Sequence, residues 1–321
     1  MKFLAGVTVV VALSFSPIEI HAQALTESSW EALTNDASRQ SLFDENVIPA
    51  KLLEDEKEPK NDQIIGLAIP KDFVFPDDAK YDKIQGKDRD NTIFGIDISH
   101  YTGSKITFAN LNLQRVRFVY AKATQGLRYK DAFFGAYWSD LSKLQGSQKL
   151  YRGAYHFLTA DEPGEEQAKK FVEYVNLHGG IRQDDMPPCL DLEWDVTPSI
   201  KDRWTGHAPQ EILQNALDWM KTVKQQTGRT PMLYTALSWW RERGIPESDM
   251  KLFDSFPIWI ADYSKSHKAT ESPALIGSKR QSLWQFASDA RLTTGYPGGS
   301  LDANIYYGTA DQFEKEFDIR H

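Results

Sequence analysis

From residue 91 onward, short apolar runs rich in β-branched and aromatic residues recur at a regular interval. They occupy residues 93–98, 116–122, 150–157, 188–193, 231–235, 256–261, 282–286 and 303–307. Runs of this length and composition predict strands. Helical periodicity separates the early ones. Residues 131–144 carry one such pattern. Residues 162–178 carry an amphipathic pattern that Gly179-Gly180 stops, and residues 209–226 open on Pro209 and end before Gly228. After the fifth run the connections are shorter and lose the helical period. Eight strands with intervening helices in this length predict a (β/α) barrel, here one lacking some of its later helices.

The N-terminal ninety residues read differently. Met1-Lys2 precedes an apolar run over 3–15 that is too short to span a bilayer comfortably, and Pro17 and the small residue Ala22 follow. The pattern predicts a secretory signal peptide over residues 1–22. A buried helix is the weaker reading, because the polar segment behind it offers nothing to pack against. No cysteine follows the run, so no membrane anchor is expected there. Residues 23–90 hold sixteen Asp and Glu against nine Lys and Arg, so they carry −7 of the chain's net −8. With few periodic apolar positions, they predict an acidic, partly disordered leader or linker with one short helix near 29–43. The catalytic barrel is placed at residues 91–321, and the leader is expected to be removable.

Composition narrows the class. With 41% apolar and 26% charged residues among 321, the chain is neither disordered, collagen-like nor a polytopic membrane protein. Its negative charge argues against a nucleic-acid partner. One cysteine, Cys189, excludes an internal disulfide and a cysteine zinc cage, and its apolar strand predicts a buried, inert thiol. No internal repeat or appended module is evident, and a monomer is expected.

In barrels of this kind the site forms at the carboxyl ends of the strands. Those ends carry Asp97, Lys122, Tyr155-His156, Asp191 with Glu193, Tyr234, Asp262 and Gln285. Four carboxylates in one mouth point to acid chemistry on a neutral, polyhydroxylated substrate, or to a metal. The metal reading is the weaker one, since no calcium-loop or H-E-x-x-H pattern is present and the seven histidines do not pair at ligand spacing. No cofactor is implied. Asp191-Leu192-Glu193 is the most specific local signal. Strand residues i and i+2 face one side about 7 Å apart. Like charges that close resist joint ionisation, which leaves one able to carry a proton to a departing glycosidic oxygen. Ser99-His100 makes a poor nucleophile–base pair, because adjacent strand residues face opposite sides.

The ordered motifs FGIDISHYTG (94–103), FVYAKATQG (118–126), RGAYHF (152–157), DLE (191–193), PMLYT (231–235), WIADY (259–263), LWQF (283–286) and LDAN (301–304) resemble those of the glycoside hydrolase family 25 lysozymes. The resemblance covers roughly 92–318. It implies a (β/α)5β3 modified TIM-like barrel that hydrolyses the β-1,4 bond between N-acetylmuramic acid and N-acetylglucosamine in peptidoglycan glycan strands. Carried over by position, it makes Glu193 the general acid and Asp191 the residue that orients the substrate acetamido group. Asp97 and Asp262 are then further groove acids. Tyr155, Tyr234 and Trp284 are expected to shape sugar subsites, with His156, Gln285 and Lys122 also on the substrate side. One departure is Gln125, where the family usually shows Glu. A binding protein that keeps the groove without turnover is the alternative, disfavoured by the intact acids.

Overall fold

Eight strands close into one ring. They are β1 (Thr92–Ile98), β2 (Val116–Gln125), β3 (Tyr151–Phe157), β4 (Cys189–Asp191), β5 (Met232–Ala236), β6 (Ile258–Ala261), β7 (Leu283–Leu292) and β8 (Leu301–Tyr307). The computed structural model describes residues 73–83, 86–196, 202–263 and 272–321. Strands β1 to β7 pair in sequence order and in parallel. β8 then runs antiparallel to both β7 and β1 and closes the ring. The ring is the expected eight-stranded α/β barrel.

The helices sit where the sequence pattern puts them. Helix α1 (Phe134–Lys143) follows β2, α2 (Gly164–Leu177) follows β3, and α3 (Pro209–Thr227) follows β4. Glu165 and Glu166 lie in the first turn of α2, where acidic side chains suit the helix dipole. The α2 end closes when the Gly180 N–H donates to the Val175 carbonyl at 3.0 Å. α3 starts on Pro209, with the Glu211 carboxylate accepting the Ala208 N–H at 3.1 Å. Two short helices escape the sequence pattern, α4 (Leu237–Glu242) after β5 and α5 (Ala310–Glu316) at the end. Between β6 and β8 the described residues contain no helix. With the 3-10 segments Gly103–Lys105 and Leu111–Gln114 serving as the first crossover, between β1 and β2, five strand–helix units precede β6, β7 and β8, which is the (β/α)5β3 plan.

Large rings fill the lower barrel. Gly95 and Gly153 make this possible, since a Cβ on either would lie 2.3 Å from the ring of Phe118 or Tyr120. Tyr120 donates its hydroxyl proton to the Pro187 carbonyl at 2.8 Å and packs on Trp259, ring centres 4.9 Å apart.

One boundary moves. Residues 1–72, where the signal peptide and most of the leader are expected, lie outside the described residues. Residues 73–90 fall in the leader expected to be removable, yet Phe73, Val74 and Phe75 pack on the barrel. The strand Val74–Phe75 adds in parallel to β7 at Arg291 and Leu292. Phe73 and Phe75 are fully buried, and with Phe94 and Phe286 they form an aromatic cluster with ring centres 4.9–6.1 Å apart. Buried Asp78 accepts the Val74 N–H at 2.8 Å and pairs with Lys83 at 2.8 Å. Two apolar residues in an acidic background carry too little periodicity to register as a strand. The packed barrel therefore begins at Phe73. Burying two Phe side chains contributes about 1.5–3 kcal/mol each. A chain starting at Asn91 should melt roughly 10 °C below one starting at Phe73, as read by circular dichroism. Equal melting temperatures would show that the added strand contributes nothing.

Candidate active site

Strand alternation brings the inward side chains of six strands to one end of the barrel. Asp97 of β1, Tyr155 of β3, Cys189 and Asp191 of β4, Tyr234 of β5 and Trp259 of β6 line one small cavity. Asp97 and Tyr155 also line an adjoining one, with Ser99, Tyr101, Thr102, Ser300 and Asp302 around it. Asp97 and Asp191 are both buried. The expected acids of β1 and β4 thus share a cavity with two of the expected tyrosines.

A polar network holds Asp97. Its Oδ2 accepts from Gln285 Nε2 and from Asn304 Nδ2, each at 2.8 Å. Gln285 Oε1 in turn accepts the hydroxyl protons of Tyr234, at 2.7 Å, and of Tyr263. Trp259 Nε1 donates to Asn304 Oδ1 at 2.9 Å. Gln285 therefore belongs to the site as the partner of an acid, with only 1% of its surface exposed.

Glu193 follows β4 directly. The Leu192 N–H donates to the Tyr234 carbonyl at 2.9 Å, so the ladder runs one residue past Asp191. The Glu193 side chain is buried. Two residues on, fully buried Asp195 anchors the same loop. Its Oδ2 accepts the Ala160 N–H at 2.8 Å and faces Arg203 at 3.6 Å, while its own N–H donates to Asp202 at 3.0 Å. Burial pushes the Asp195 carboxyl up to about 6, against the pull of Arg203 and the Ala160 N–H. Asp262 stands just past β6 and is half-buried. One of its carboxylate oxygens accepts the Ala274 N–H at 2.7 Å. Lys122 at the bulged end of β2 donates to Gln125 Oε1 at 2.7 Å, and lies 4.9 Å and 5.6 Å from the ring centres of Phe157 and Tyr129.

Two expected subsite residues stand elsewhere. His156 has no exposed surface and faces away from the barrel interior, against the helices. Its ring bonds Thr124 at 2.7 Å and Gln167 at 3.1 Å and stacks on Trp219. Burial and the nearby Lys122 lower its pKa to about 3, so it is a neutral core residue. Trp284 is also fully buried, on the Phe286 side of β7, and its indole N–H donates to the Asp262 carbonyl at 3.1 Å. It supports the acid's backbone and cannot line a sugar. Both sit beside an inward residue, Tyr155 and Gln285, so a motif read without parity includes them. Asn304, Tyr263 and Asp195 were not expected as site residues. The alternation D-x-E-x-D at 191–195 was the available signal for the last. Among the described residues, no three His, Cys, Asp or Glu are grouped to hold a metal ion, and no helix is long and apolar enough to cross a membrane.

Residues 96–294 match the family described as glycosyl hydrolases family 25. An N,O-diacetylmuramidase of Chalaropsis sp is 34% identical over 224 residues, covering 66% of this chain and 96% of that protein. Lysozyme M1 of Streptomyces globisporus is 28% identical over 219 residues, 67% of this chain and 68% of its own length. The structure of a family 25 lysozyme from Aspergillus fumigatus superposes with a TM-score of 0.57 at 28% identity, covering 70% of this chain and 99% of that one. Matched over more than half its length by the family and sharing its barrel, the chain belongs to glycosyl hydrolases family 25 and is a glycoside hydrolase of the lysozyme type.

Proposed function

We propose that the chain is exported and hydrolyses the β-1,4 bond between N-acetylmuramic acid and N-acetylglucosamine in peptidoglycan, with Glu193 as general acid and Asp191 orienting the substrate's acetamido group. The observation that carries this reading is the pair of buried acids at the end of β4. Asp191 faces a cavity with Asp97, Tyr155 and Tyr234. The names of its relatives, an N,O-diacetylmuramidase and a lysozyme, support the same class of reaction.

The chemistry follows from spacing. A covalent carboxylate nucleophile needs about 5–5.5 Å between the two acids. Residues i and i+2 of an extended strand stand about 7 Å apart; β4 ends at Asp191 and Glu193 stands at a bend, and the proposed route keeps the two acids at that wider separation. Asp191 is then too far to attack the anomeric carbon while Glu193 protonates the leaving oxygen. The acetamido group of the sugar is nearer. Its carbonyl oxygen attacks the anomeric carbon as the glycosidic bond breaks, and the departing oxygen takes the proton of Glu193. Asp191 accepts from the acetamido N–H and offsets the positive charge of the resulting oxazolinium ring. Water, deprotonated by the Glu193 carboxylate, then opens that ring from the face the leaving group occupied. The net result is retention.

Two outcomes test this reading. Glu193→Gln keeps shape but cannot donate the proton, so lysis of purified walls should fall by about 10²-fold or more while binding to insoluble peptidoglycan persists. Wall lysis at the wild-type rate would overturn the assignment, and a wild-type chain that binds walls without releasing muramic-acid reducing ends would be a binding protein. Proton NMR of sugars freshly released from a soluble oligosaccharide should show the β-anomer first, and Asp191→Asn should be nearly as damaging as Glu193→Gln. Initial α-anomer would sink the assisted route.

A further inference from the structure

We infer that Trp259 is a positioning residue that, through Asn304, locks Asp97 as an ionised hydrogen-bond acceptor in the floor of the cleft. The argument begins with an ambiguity. The oxygen and nitrogen of an amide side chain are interchangeable in shape, so the direction of its bonds has to be argued from its partners. Gln285 alone does not resolve it, because the tyrosine hydroxyls that meet it can donate or accept. Trp259 does. An indole N–H only donates, so the Asn304 atom 2.9 Å from it is the oxygen. The other end of that amide is then the NH2 group, 2.8 Å from Asp97 Oδ2, and it carries hydrogens only. Asp97 Oδ2 has to supply a lone pair.

Gln285 delivers a second N–H to the same oxygen at 2.8 Å. With two donors there, a proton on Oδ2 would break one of these bonds, and a proton on Oδ1 would weaken both, because a carboxylate oxygen accepts more strongly than a neutral carbonyl oxygen. Asn304 is fully buried, and Trp259 and Gln285 are nearly so, which keeps water from replacing either donor. Around Asp97 stand Tyr101 after β1, Lys122 of β2, Tyr155 of β3, Cys189 and Asp191 of β4, Tyr234 of β5, Tyr263 after β6 and Asp302 of β8. Asp191 and Asp302 oppose a charge on Asp97, and Lys122 favours it. Cys189 stays a neutral thiol, pushed well up by burial and by Asp191 and Asp97. The Trp259–Asn304 pair is therefore a fixed dipolar support against two neighbouring carboxylates. An Asp97 held in its charged form is a poor proton donor. It can stabilise the positive charge that develops on the sugar ring, which is the one point at which the inference rests on the proposed reaction.

The test is a carboxyl-carbon NMR titration of the full chain labelled at aspartate, with Asp97→Asn assigning the signal. In the wild type the Asp97 carbon should report the ionised form through the neutral and mildly acidic range. In Trp259→Phe, which keeps a ring but lacks the N–H, Asn304 is free to turn and the Asp97 midpoint should rise. On a soluble oligosaccharide the variant should lose on the order of tenfold in kcat/KM at mildly acidic pH, and less at neutral pH. Asn304→Leu removes the same donor if Trp259→Phe does not fold, and the wild-type titration needs no variant. A protonated Asp97 in the neutral wild type, or an unmoved midpoint with activity lowered equally at every pH, overturns the inference. Wild type that titrates as expected but releases no sugar would refute the proposed reaction and leave the lock standing.

Discussion

The barrel closes through one strand that runs against the other seven. Because β8 is antiparallel, its first residues lie at the same end as the last residues of its neighbours. Asp302 faces Asp97 across the sheet, and Asn304 stands between Gln285 and Gly95. The floor of the cleft depends on that register. A slip of one residue would swing Asn304 to the outer face and bring apolar Ala303 or Ile305 inward. Asp97 would then lose a donor in a place water does not reach. Burying a charge without such partners costs several kcal/mol, so strand closure and acid chemistry are one constraint.

The same division of the interior into dry and polar layers sets where chemistry occurs. Phe118, Tyr120 and Trp259 fill the space under the acids, and Gly95 and Gly153 give them room. Trp259 belongs to both layers, with its ring in the packing and its N–H in the network. Asp195 shows what ionisation costs beside this site. Its folded value of about 6 lies above the unfolded value of about 3.9. Between the two the fold binds more protons than the unfolded chain, so the stability tied to this group is present at low pH and declines as pH rises through the window. The stability that Asp195 contributes to the Glu193 loop is thus full below about pH 4 and lost above about pH 6.

Much of this was legible because strands buried on both faces read as unbroken apolar runs. Caps and glycine stops marked α2 and α3 for the same local reasons. Parity within the runs was not legible. Tyr155 and His156 are neighbours in one motif, yet one lines the cavity and the other stacks on Trp219 beneath the helices. The bulge between Lys122 and Thr124 shifts the alternation of β2, a change no period-two reading anticipates. Asn304 acquires its role only when β8 folds back, and Val74–Phe75 finds its partner more than two hundred residues away. Long-range pairing of that kind leaves no local trace.

Cys189 is the only thiol in the chain, and it lies inside the ring under Asp191 and Tyr234 with no exposed surface. Its high pKa keeps it a thiol, and thiols react slowly. With no exposed surface in the cavity it lines, it meets a soluble alkylating reagent only when the barrel opens around it. The rate of modification of this one atom is consequently a clock for opening of the barrel wall, built into the native sequence and free of competing sites. Any partner molecule that seats in the cleft and resists strand separation would slow that clock in proportion to its hold.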